Sequence, residues 1–132
     1  MLRITLRDGE KAIVNGAVLR AVGRTQLAVE NKVAILRGRE VMRPEEATSP
    51  ARQLYFSAML AYIDPAGRDA HHDIVVGLLG GLVATLATPE ARDTCIRFAH
   101  DIAQGDYYKA LAAARDLIAF EAQAADPEHQ AA

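Results

Sequence analysis

Apolar residues recur at every second position along the first part of the chain. Leu2, Ile4 and Leu6 alternate with Arg3, Thr5 and Arg7, the period of a half-buried strand with a basic outer face. Asp8-Gly9 is a turn signal, after which Lys11–Val14 resumes an extended run. Asn15-Gly16 predicts a second tight turn, because both residues tolerate positive φ, and residues 17–22 follow as another strand. Gly23-Arg24 turns into residues 25–30, where Leu27 and Val29 point one way. Residues 33–36 and, beyond Gly38, residues 40–42 complete the set. Five or six short strands at this spacing predict a small antiparallel meander or barrel.

At Ser49-Pro50 the period changes. Ser caps free N–H groups and Pro suits the first helical position, so a helix is expected over 50–63, preceded by a brief helical turn at Pro44–Glu46. Ala51, Leu54, Tyr55, Ala58, Ala61 and Tyr62 form one apolar stripe, and Phe56, Met59, Leu60 and Ile63 form a second. Only a thin polar line remains, Gln53 and Ser57 with Arg52 at the start, and a helix apolar nearly all round is buried. Residues 74–87 predict a further helix weakened by Gly77, Gly80 and Gly81, which would allow close helix packing or a break near Gly80-Gly81. Thr88-Pro89-Glu90 opens a third helix with the stripe Ala91, Cys95, Phe98 and Ile102. Gly105 ends it, and Asp106 caps a last helix that buries Tyr107, Ala110, Leu111, Ala114, Leu117 and Ile118. This last pair resembles one unit of a tetratricopeptide-type hairpin, in local geometry only.

The pattern therefore predicts an α+β fold: a small antiparallel β meander or barrel, then a bundle of about four α-helices. Residues 1–43 form a basic β subdomain and residues 44–121 an acidic helical subdomain. The two are expected to share one core through helix 50–63, with residues 122–132 as a disordered tail.

Composition adds charge asymmetry to this picture. The chain has 132 residues, 51% hydrophobic and 24% charged, values of a soluble globular protein. Its net charge of −2 hides an uneven split. Residues 1–43 carry nine Lys/Arg against four Asp/Glu, a balance of +5, whereas residues 44–132 carry six against thirteen, a balance of −7. The single cysteine, Cys95, excludes an internal disulfide and fits a reducing compartment. The start of the chain alternates and lacks an apolar signal core, and the longest greasy run, residues 74–87, falls short of the ~20 needed to cross a bilayer. A cytoplasmic protein with no membrane partner is expected.

Candidate chemistry is sparse. His71-His72, flanked by Asp69 and Asp73, is the one cluster resembling metal ligands. Adjacent histidines on a helix point ~100° apart and do not readily share an ion, so no metal is expected. Cys95 sits within an apolar stripe, which favours a packed thiol over a nucleophile. There is no phosphate-loop pattern, no Ser-based nucleophile motif and no framed pair of carboxylates, so neither an enzyme nor a cofactor is predicted. The informative surface is basic: Arg3, Arg7, Lys11, Arg20, Arg24, Lys32, Arg37, Arg39 and Arg43. Such cations fit nucleic-acid phosphates, and equally a solvated face or a protein docking surface. No Phe, Tyr or Trp precedes Tyr55, which argues against an aromatic stacking platform in this half. RNA bound there would be held by Arg, backbone and base-edge contacts.

The order Gly9-Glu10-Lys11, then Ile13 to Val18, then Leu27 to Arg37, resembles the flagellar regulator family FlbT. The likeness continues through Glu45-Glu46-Ala47-Thr48-Ser49-Pro50-Ala51-Arg52 to Leu54-Tyr55-Phe56, and through Tyr107-Tyr108-Lys109-Ala110-Leu111 to Ile118-Ala119-Phe120-Glu121. The resemblance implies a post-transcriptional regulator that associates with the 5′ untranslated region of flagellin mRNA and promotes its decay. It further implies flagellin and the small protein FlaF as partners, and carries no catalytic residue with it. The opening residues Met1-Leu2, Thr5 and Gly9-Glu10 are also similar to those of the carbon storage regulator CsrA, a small β RNA-binding dimer. The competing expectation is a protein-binding module, a chaperone-like partner of flagellin or FlaF. Exposed strand edges leave a homo-oligomer open.

Overall fold

The N-terminal alternation becomes two small antiparallel sheets, followed by four helices, in the computed structural model, which describes residues 2–125. Strand β1 (Leu2–Leu6) pairs with β4 (Thr25–Val29), setting Ile4 opposite Leu27 and Leu2 opposite Val29. Strand β2 (Lys11–Val14) lies between β3 (Ala17–Arg20) and β5 (Ile35–Arg37). The β2–β3 hairpin turns on Asn15 and Gly16, both at positive φ (49° and 85°), the two-residue turn whose twist suits right-twisted strands.

The α+β architecture matches the pattern, but the strands form neither a meander nor a closed barrel. Among the described residues, only β2–β3 of the three pairings joins strands adjacent in sequence, and no ladder joins the two sheets. The sixth strand expected at residues 40–42 is absent as well. Gly38–Glu40 is instead a 3-10 turn, with Gly38 at a φ of 55°. The polar groups beyond it are taken by the helices: the Tyr55 hydroxyl donates to the Glu40 carbonyl (2.7 Å), and the Met42 N–H points at Met59 Sδ (3.3 Å). Backbone groups claimed in this way are lost to a sheet ladder.

Strand β2 explains the layering. Its neighbouring residues Ala12 and Ile13 point to opposite faces, yet both are buried. Ala12 joins Leu6, Ala21 and Leu27 in a small core between the sheets. Ile13 joins Leu36 in the main core, together with Leu54, Val75, Phe98 and Leu111 from the helices. The three-stranded sheet is therefore a middle layer. Strand β3 overhangs both layers, with all four residues exposed.

Helix α1 (Pro50–Ile63) opens as its sequence predicts, with Ser49 Oγ accepting the Arg52 N–H. A second cap comes from far along the chain, where Glu121 Oε2 accepts the Ala51 N–H at 2.9 Å. Both stripes are covered, and the expected polar line narrows further because Ser57 is itself buried. Helix α2 (Arg68–Thr85) runs unbroken, and its glycines neither interrupt it nor seat a neighbour. A Cβ at Gly77, Gly80 or Gly81 would meet nothing within 4 Å. They lie outward because α2 docks through Val75 and Leu82, leaving Ile74, Val76 and Val83 exposed. Helices α3 (Pro89–Ala103) and α4 (Tyr107–Ala124) form the expected hairpin. At its corner Gly105 (φ 75°) allows its own N–H to reach Ile102 O and the Asp106 N–H to reach Asp101 O, the paired bonds of a Schellman ending. Cys95 is buried, and burial pushes its thiol pKa up, so it is a packing residue. Of the tail expected over 122–132, residues 122–124 are helical in α4, and residues 126–132 lie outside the described residues.

Candidate nucleic-acid interface

All nine basic residues of the β half are exposed. Arg3 projects beside Thr5 from the outer face of β1, opposite Ala28. Arg7 and Arg39 flank one shallow cleft, joined there by Asp8 and Glu10. Lys11 and Arg20 stand directly opposite each other across the β2–β3 ladder. Like charges so placed destabilise a sheet, and an anion between them removes the cost. Lys32 and Arg37 line a second cleft, between the β half and the helices. Two residues are set apart from these groupings. Arg24 lies in the turn before β4, and Arg43 forms an ion pair with Glu46 (Nε to Oε1 3.2 Å); the Arg43 backbone N–H, then its side chain, holds the Glu46 carboxyl below its usual pKa. Arg37 also donates through Nη1 to the Thr5 carbonyl (3.3 Å), so one of its nitrogens is spent tying β5 to β1.

The second cleft brings to this half aromatic residues that its own sequence lacks. Tyr62 of α1 and Tyr108 of α4 reach across to it, lining a space of about 580 Å³ with Lys32, Arg37 and Glu40. Their ring centroids are 5.4 Å apart with planes inclined at 43°. Both hydroxyls are anchored. Tyr62 Oη accepts the Ile35 N–H at 3.2 Å, and Tyr108 Oη donates to Glu40 Oε2 at 2.5 Å. The bond to the Glu40 carboxylate, then burial, pushes the Tyr108 pKa up to about 12, so it stays a neutral donor at physiological pH. Glu40 is held in turn, its Oε1 accepting the Arg37 N–H at 3.1 Å. The cleft continues past Lys32, Tyr62 and Tyr108 toward Arg68 and Asp106. Tyr62 was legible only as a core residue and Tyr108 only as part of a helix start, because neither is near the basic residues in sequence.

The histidine pair is structural. His71 Nε2 lies 3.0 Å from Asp64 Oδ2 across the α1–α2 turn, while His72 Nδ1 lies 3.0 Å from the Tyr107 hydroxyl. Gly67 leaves room for the Asp64–His71 pair, since a Cβ there would come within 2.4 Å of Asp64 Oδ2 and displace that carboxylate. The hydrogen bond to His71, then the Gly67 N–H, holds the Asp64 pKa below its ordinary 3.8. A depressed carboxylate contributes stability above its unfolded pKa and loses it as the pH falls through the folded one. Asp64→Asn is therefore expected to melt below the parent at pH 7. The gap should close as the pH drops below 3.8 and through the native value, which thermal melts across an acid series would follow.

Among the described residues, no helix is long and apolar enough to cross a membrane. A family model described as "Flagellar protein FlbT" matches residues 2–125. The "Flagellum biosynthesis repressor protein FlbT" of Caulobacter vibrioides (strain ATCC 19089 / CIP 103742 / CB 15) is 33% identical over 121 residues, covering 91% of this chain and 86% of that protein. A "Probable flagellum biosynthesis repressor protein FlbT" of Caulobacter sp. (strain K31) is 33% identical over 92% of this chain and 94% of its own length. A protein of the same printed name from Agrobacterium fabrum is 36% identical over 91% of this chain and 80% of its own. No solved structure matches.

Proposed function

The chain belongs to the FlbT family of flagellar proteins, and on that premise we propose that it regulates flagellum synthesis by binding flagellin mRNA. Its basic β half associates with the 5′ untranslated region of the message, and binding promotes the message's decay in the cytoplasm. Arg3, Arg7, Lys11, Arg20, Arg24, Lys32, Arg37, Arg39 and Arg43 supply the phosphate contacts. The observation that carries this reading is the exposure of all nine cations on one half, with Lys11 and Arg20 forced into direct opposition. The acidic helical half stays off the phosphates and is free to engage protein partners such as FlaF.

A second reading has an observation of its own. The outer face of α2 exposes Ile74, Val76 and Val83 beside Gly77, Gly80 and Gly81, an apolar strip suited to a protein helix. On that reading the chain is a chaperone-like partner of flagellin or FlaF and affects mRNA only indirectly. Gel shifts with flagellin leader RNA at two salt concentrations separate the two. Under the RNA reading, the purified protein shifts the leader at low salt and loses most of that affinity at higher salt, as counterion release requires. No shift at low salt, with co-elution of flagellin or FlaF, establishes the second reading instead.

A further inference from the structure

We propose that the cleft between β5 and α4 seats one unpaired nucleobase of the bound RNA, stacked on the ring of Tyr108, with Lys32 and Arg37 at the rim holding the adjoining phosphates. The inference rests on the RNA reading above and adds to it a site, a ligand group and an orientation.

Three observations carry it. Tyr108 is 46% exposed although its hydroxyl is engaged by Glu40, so much of what it offers to solvent is ring. An aromatic ring free at its surface and fixed at its hydroxyl is pre-organised, and it loses little side-chain freedom when a base stacks on it. Tyr62 backs it at 5.4 Å and is itself pinned to the β5 backbone, so the platform is rigid. The space, about 580 Å³, falls inside the range of roughly 300–1,000 Å³ that small ligands occupy.

The charges fix which end of a nucleotide enters. Glu40 and Glu30 both line the cleft, and Glu40 is half-buried there beside Tyr108, so a phosphate is repelled from the tyrosine side. A carboxylate accepts N–H donors, and the exocyclic amines of adenine, cytosine and guanine are such donors. Lys32 and Arg37 are exposed and carry the opposite sign, which suits the backbone on either side of the inserted base. An acidic peptide would meet the same two carboxylates and gains nothing from the tyrosine pair.

The chain contains no tryptophan and four tyrosines, so its emission is that of tyrosine and the Tyr108 variants assign the quenching to that ring. The test titrates wild type, Tyr108→Leu and Tyr108→Phe with a ten-residue oligoadenylate, and separately with inorganic polyphosphate, after circular dichroism has shown all three folded. Wild type is expected to bind the oligonucleotide with quenched tyrosine emission. Tyr108→Leu should weaken that binding roughly 10-fold, the scale of one lost base stack, with the salt slope unchanged because no charge is removed. Tyr108→Phe, which keeps the ring, should stay within about twofold, and polyphosphate should bind all three alike. The cleft assignment is overturned if Tyr108→Leu binds as wild type, if Tyr108→Phe falls as far as Tyr108→Leu, or if polyphosphate binding falls with them. It is overturned also if Tyr108→Leu impairs capture of a flagellin peptide and leaves RNA untouched. Should wild type itself bind no oligonucleotide or leader RNA at low salt, the RNA reading fails and this site with it. That outcome is distinct from one in which RNA still binds and only the Tyr108 dependence is missing.

Discussion

Leu54→Ala is expected to lower the unfolding free energy by about 3 kcal/mol, and the strands and helices should then melt together in one transition at a lower temperature. Leu54 is fully buried on α1, in the core cluster that contains Ile13 and Leu36 from the sheet and Phe98 and Leu111 from α3 and α4. Removing its side chain loses both the transfer energy and the contacts around the cavity left behind, together about 2–5 kcal/mol in such sites. Domains of this size hold only about 5–15 kcal/mol in total, so the variant should sit near the edge of folding at growth temperature. The two halves have opposite charge and distinct secondary structure, yet the main core draws on both. We therefore propose one cooperative unit. Chemical denaturation followed by far-ultraviolet circular dichroism and by tyrosine emission checks it. Coincident curves are expected, and separate transitions would mean that the β and helical parts fold independently.

A triple reversal, Arg3, Arg7 and Lys11 to Glu, should reduce affinity for flagellin leader RNA on the order of 100-fold at 0.1 M salt. Each phosphate contact on a single strand contributes a salt slope of about −0.7, so three lost contacts remove about two decades at that concentration and flatten the slope by about two. Lys11 makes the test specific. Opposite Arg20, a Glu at this position replaces a like-charge pair by an opposite-charge pair, which should stabilise the ladder by about 0.2–1 kcal/mol while weakening RNA binding. Loss of binding through unfolding would move both measurements the same way. Stability and affinity moving in opposite directions identifies Lys11 as a phosphate contact retained against the interest of the sheet. Affinity unchanged in the triple variant would remove the β face from the interface.

Much of the local structure is legible in consecutive residues. The period of two in Leu2, Ile4 and Leu6 places β1, Asn15-Gly16 places the hairpin, and Ser49-Pro50 places the start of α1, each observed where expected. Pairing was not legible. Nothing in a single strand says that β1 should take β4 and leave β2 to β5, because matching apolar faces recur in every strand of the set. The placing of the α2 glycines was not legible for a related reason. Composition allows close packing or a break, whereas the helix docks by Val75 and Leu82 and turns its glycines outward. The segment after Gly38 reads as a strand by its own residues and is claimed instead by Tyr55 and Met59.

The sequence by itself determined the α+β class, the element types, the sign of charge on each half and the exposure of the basic residues, since all of these follow from periodicity and composition over short windows. Only the tertiary structure decided that the basic half has aromatic company. Tyr62 and Tyr108 belong to helices that begin after the last of the nine cations, and they meet Lys32 and Arg37 because α1 and α4 pack together and bond to the backbone of Ile35 and the side chain of Glu40. Such a meeting depends on how long-range contacts close the chain. Local pattern carries no information about that.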